Sequence, residues 1–87
     1  MIDAKAIDAF WSVVQRCLVQ FHGLSEDEAY RKSQTLRARI ESPPIGTSSD
    51  IFYHAEPFDV ACDLASDRRD LSRYRQEYDA ILNAYRW

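Results

Sequence analysis

Two stretches of this sequence, one at each end, space their apolar residues three and four positions apart, and that periodicity leaves little choice of fold. Near the start the series is Ile7, Phe10, Trp11, Val14, Leu18 and Phe21, with Cys17 joining beside Val14 and Phe21. Near the end it is Leu71, Tyr74, Tyr78, Ile81, Leu82 and Tyr85. Such spacing follows the 3.6-residue turn and puts each series on one face of an amphipathic helix. Asp3 is a good N-cap for the first helix, and Gly23 supplies a left-handed residue at its end. A second helix opens at Ser25, where Ser25 and Glu28 make a capping box and three acids meet the positive end of the helix dipole. Its apolar stripe, Ala29, Ser33, Leu36 and Ile40, is thin, so this helix packs through one narrow seam. Pro43-Pro44 forbids continuation and stops it near Glu41.

Residues 42–49 read as a loop of Ser, Pro, Gly and Thr, and residues 50–55 as a single helical turn or an irregular extended piece. Pro57 suits the first turn of a further helix in which Phe58, Ala61, Cys62 and Ala65 share a face, with Leu64 at its edge. The last helix begins near Asp67 or Asp70. At 87 residues the chain has room for one domain and a modest core. With only two glycines it lacks both a phosphate-cradling loop and the turns of an all-β fold. The expected fold class is all-α: one compact four-helix domain over 1–87, with a short irregular or helical segment after the Pro-rich loop.

The same composition narrows function. No apolar run exceeds three residues, so no membrane span is expected. The start, with an acid at Asp3, does not read as a secretory signal, and a cytoplasmic location is expected. Cys17 and Cys62 are not a disulfide framework and are expected as buried thiols. Cys17, Cys62, His22 and His54 could in principle form a zinc site, but Cys17 and His22, five apart on a helix, point in different directions. No metal or cofactor is expected, and no catalytic residue stands out. Arg31, Lys32, Arg37 and Arg39 form a basic patch on the second helix, balanced by Glu26, Asp27 and Glu28, in a chain of net charge −3. Direct nucleic-acid binding is therefore not expected.

The charge excess is concentrated. From Glu41 to Asp67 there are six acids and no Lys or Arg. Glu56, Asp59, Asp63, Asp67 and Asp70 follow at spacings of 3, 4, 4 and 3. On one continuous helix they would share a face opposite Phe58, Ala61, Cys62 and Ala65, although the last two cross the break into the final helix. Like charges so placed repel, so the stripe is either a solubility face or a surface held ready for a cationic partner. Ile51-Phe52-Tyr53-His54 lies beside it between proline brackets, and Tyr53 has the character of an interface anchor.

The stretch from Glu41 through Ser-Pro-Pro-Ile-Gly-Thr-Ser-Ser to Asp50-Ile51-Phe52-Tyr53 resembles the centre of the colicin- and pyocin-type nuclease immunity proteins. The resemblance is carried by Ser49, Asp50, Ile51 and Tyr53, and extends more broadly to bacterial toxin-immunity proteins, those of contact-dependent inhibition included. It departs from the family at His54, where a second tyrosine is usual, at Ala55, where proline is usual, in a longer loop, and in the Tyr-rich last helix. The resemblance implies an acidic four-helix inhibitor in which Asp50 and Tyr53 touch the toxin and Glu41 sets specificity.

Together these readings give an expected function: an immunity protein, not an enzyme, that neutralises a cognate toxin domain, a cationic nuclease. The expected binding residues are Glu41, Asp50, Phe52, Tyr53, His54, Glu56, Asp59 and Asp63. Acidic residues opposite a phosphate-binding surface steer association and reject wrong partners. The competing reading is a helical adaptor or regulator that binds a non-toxin partner.

Overall fold

A computed structural model describes residues 4–41 and 56–85, which form four α-helices and no strand. They are α1 (Ala4–His22), α2 (Glu26–Glu41), α3 (Pro57–Ala65) and α4 (Leu71–Tyr85). The all-α four-helix architecture expected from periodicity is the one observed. Helix α1 is the spine, and α2, α3 and α4 each pack against it.

That central position makes α1 more buried than one stripe. Phe10, Val13, Val14, Cys17 and Leu18 are fully buried, with Trp11 and Phe21 close behind. At 3.6 residues per turn these seven cover an arc of about 160°, wider than the three-and-four series suggests. Val13 lies outside that series and is buried because neighbours enclose α1 on more than one side. Phe58, Ala61 and Cys62 of α3, with Val60 outside the expected face and Ala65 only partly buried, and Tyr78 and Ile81 of α4 extend the core. Where α1, α3 and α4 meet, Phe21 stands 5.5 Å from Phe58 and 5.1 Å from Tyr74, ring centre to ring centre, and Phe58 stands 5.5 Å from Tyr78. Tilted and edge-on arrangements of this kind add to plain area burial.

Helix α2 attaches through its narrow seam. Ala29 and Ser33 are fully buried, and the Ser33 hydroxyl donates to the Ala29 carbonyl at 2.7 Å, which removes the cost of burying it. Arg37 reaches across to Asp8 of α1 at 3.1 Å. At the start of α2 the Glu28 amide donates to Ser25 Oγ at 3.2 Å, which is the serine half of the expected capping box. Gly23, with φ +70, makes the left-handed turn after α1.

The end of α3 is the less expected turn. Ser66 is left-handed at φ 52, its amide donates to the Asp63 carbonyl at 3.2 Å, and the Asp67 amide donates to the Cys62 carbonyl at 3.0 Å. This is a Schellman closure built on serine where glycine is usual. Ser66→Gly is expected to raise stability by about 0.5–1 kcal/mol, because glycine adopts φ > 0 without a Cβ penalty. The denaturation midpoint in urea measures it, with the slope unchanged. Helix α4 then starts from Asp70, whose carboxylate accepts the Ser72 amide at 3.1 Å and the Ser72 hydroxyl at 2.8 Å.

Candidate partner-binding face

Helix α3 carries the acidic residues singled out in the sequence. It begins at Pro57, and Glu56 occupies the N-cap position in extended conformation without a side-chain cap of its own. The cap comes from another helix. The buried Phe58 amide donates to the Tyr78 hydroxyl at 3.2 Å, and that hydroxyl donates to Glu56 Oε1 at 2.7 Å. One phenol thus satisfies an orphan amide of α3 and holds the carboxylate that precedes it. Burial, and then the bond to Glu56, push the Tyr78 phenol far above its ordinary pKa, so it stays a donor.

Asp59 and Asp63 lie one turn apart on the outer side of α3, their side chains 58% and 70% exposed. The expected co-facial pair exists, but it is not unpaired. Arg68 bridges both acids, Nη1 to Asp59 at 3.2 Å and Nη2 to Asp63. On a continuing helix Arg68 would point about 140° away from Asp63 and about 180° away from Asp59. The left-handed Ser66 turn folds the chain back and makes the bridge possible.

The longer stripe does not form. Asp67 lies beyond the end of α3, where Arg69 contacts it at 2.8 Å. The Arg69 hydrogen bond, with help from His22, holds the Asp67 carboxyl below the usual aspartate range. Asp70 is occupied in capping α4, and its bonds to Ser72 likewise lower its pKa. Of the five acids, Glu56 is bonded to Tyr78, Asp59 and Asp63 share Arg68, and Asp67 and Asp70 belong to the α3–α4 connection. Glu41 ends α2, and its side chain, with Asp50, Phe52, Tyr53 and His54, lies outside the described residues.

No protein-family model, curated protein or solved structure matches this chain. The reading of the face therefore rests on its own chemistry.

Other reactive groups are set inward. Cys17 and Cys62 are both buried. Burial, and then the neighbouring Cys62, push the Cys17 thiol up to about 12. At pH 8 its thiolate fraction would then be roughly one in ten thousand. Native protein is expected to leave Cys17 unmodified by an aromatic disulfide reagent at pH 8, and urea-unfolded protein to react at both cysteines, read by absorbance of the released thiolate. Rapid native labelling of Cys17 would contradict the packing. Among the described residues no group of three His, Cys, Asp or Glu side chains could hold a metal ion, and no helix is long and apolar enough to cross a membrane.

Sequence reasoning missed Arg68 and Tyr78. A signal for Arg68 existed, since it is the first base after the base-free segment. Nothing marked Tyr78, whose position in the apolar stripe of α4 reads as core alone.

Proposed function

We propose that this chain is a non-catalytic protein-binding module, an immunity-type inhibitor of a bacterial toxin, that meets a cationic partner with the outer face of α3. The supporting observation is the exposed pair Asp59 and Asp63, one turn apart on one helix face and joined only by an exposed arginine. On the outer side of α3 two carboxylates, Asp59 and Asp63, stand against one guanidinium, Arg68, so the face keeps an excess of one negative charge. A surface ion pair is worth about 0–1 kcal/mol, which makes the Arg68 bridge easy to exchange for a partner's cation. Arg68 would act as a stand-in, holding the two carboxylates at the spacing that an incoming guanidinium uses. Phe52, Tyr53 and His54, with Glu41 and Asp50, would add anchors, as the resemblance to nuclease immunity proteins implies.

The compensation by Arg68 favours one second reading, a helical adaptor for a non-toxin partner that depends less on charge. The two separate by experiment. The first observation is whether a neighbouring gene encodes a large protein with a toxic C-terminal domain; such a domain is the probe, and association is followed by stopped-flow fluorescence. Asp59→Lys with Asp63→Lys is expected to slow association about tenfold and flatten its salt dependence, whereas Arg68→Gln speeds it severalfold. Association unchanged by all three substitutions removes the electrostatic reading. Absence of any binding to that domain turns the choice to the adaptor.

A further inference from the structure

The opposite charge gathers elsewhere on the surface. Four arginines are matched with acids within the fold: Arg37 with Asp8, Arg68 with Asp59 and Asp63, Arg69 with Asp67, and Arg75 with Asp79. Arg31, Lys32 and Arg39 have no acidic partner among the described residues, although acids outnumber bases in the chain, 14 to 11. These three line one groove of about 400 Å³ between α2 and α3. Its floor is Leu36 of α2 and Leu64 of α3, half-buried and packed against the core edge, and Glu28 stands at one end.

We propose that this groove docks an acidic, amphipathic helical segment of a protein partner. The floor offers apolar contact to a leucine-like side chain, and the three cations, all carried by α2, receive carboxylates along one side of it. Glu28, with Glu26 and Asp27 in the same first turn, makes the end before Arg31 negative, so the segment's acids lie between Arg31 and Arg39. That polarity separates the groove from a nucleic-acid track, which would meet repeated phosphates with cations along its length and has no use for a leucine floor. It also separates it from a membrane-surface site, where the apolar residues stand proud of the surface between cations. The proposal concerns a face of opposite sign to the outer side of α3 and stands whether or not that side binds a toxin.

The test uses the full chain, ¹⁵N-labelled, and a synthetic helical peptide of about 15 residues with leucines on one face and glutamates flanking them. Expected are amide shifts confined to residues 28–39 and the neighbourhood of Leu64. Affinity should fall at least about tenfold for the combined Arg31→Glu, Lys32→Glu and Arg39→Glu variant, and also on raising salt from about 50 to about 300 mM. Leu64→Ser should weaken binding at constant salt dependence, with circular dichroism confirming the fold of every variant. A peptide with lysines in place of the glutamates should leave the spectrum unchanged. The proposal is overturned if the acidic peptide produces no shifts, if it binds the charge-reversed variant equally well, or if single-stranded RNA or anionic vesicles shift these amides and the peptide does not.

Discussion

Phe58→Ala is expected to leave the protein largely unfolded near its physiological temperature. Phe58 is fully buried at the junction of three helices and meets Phe21, Tyr74 and Tyr78 edge-on or tilted. Removing a buried phenyl ring costs about 3–5 kcal/mol, part lost transfer energy and part cavity. An 87-residue domain has in all about 4–13 kcal/mol to lose. The site cannot collapse easily, because α3 is nine residues long and is pinned at its start by Pro57 and Tyr78. The melting temperature should drop by roughly 15–30 °C, measured by circular dichroism at 222 nm. A drop of only a few degrees would mean that α3 is not integral to the core.

Tyr78→Phe isolates a single oxygen and carries the next largest effect. The ring and its packing on Phe58 remain, whereas the Phe58 amide loses its acceptor and the Glu56 carboxylate loses its donor. Leaving a buried amide unsatisfied costs about 1–3 kcal/mol. The loss should be local as well as global: the first-turn amides of α3, from Phe58 to Val60, should exchange with deuterium faster than the rest of the core. Glu56→Ala should cost less in the Tyr78→Phe background than in the native chain, since the hydroxyl couples the two groups. Equal exchange rates and additive energies would show that α3 is capped by other means. The effect reaches the outer face of α3 proposed for partner binding, because Asp59 sits in that first turn.

The helical register was legible where it depends on neighbours in the chain. Ser25 and Glu28 announce a helix start through the reach of a hydroxyl to an amide three residues on, and the structure has that bond. Asp70 caps α4 by the same local chemistry. The acidic stripe was legible only in part. The spacing of Asp59 and Asp63 gave their common side, but extending the series to Asp67 and Asp70 assumed a helix that in fact ends at Ala65. Serine in a left-handed turn is not a stop signal of the kind glycine is, so the break and the return of Arg68 were not visible in advance.

What the chain determines by itself is its helices, its thin second seam and the side of α3 that carries Asp59 and Asp63, because a 3.6-residue period and a cap act over three or four residues. What only the tertiary structure decided is how those charges are spent. Arg68 meets two acids across a turn, Tyr78 closes a helix that starts more than twenty positions earlier, and Arg31, Lys32 and Arg39 meet no acid among the described residues and line a groove with Leu36 and Leu64. Each depends on where helices approach one another around α1, and separation along the chain carries no measure of that distance.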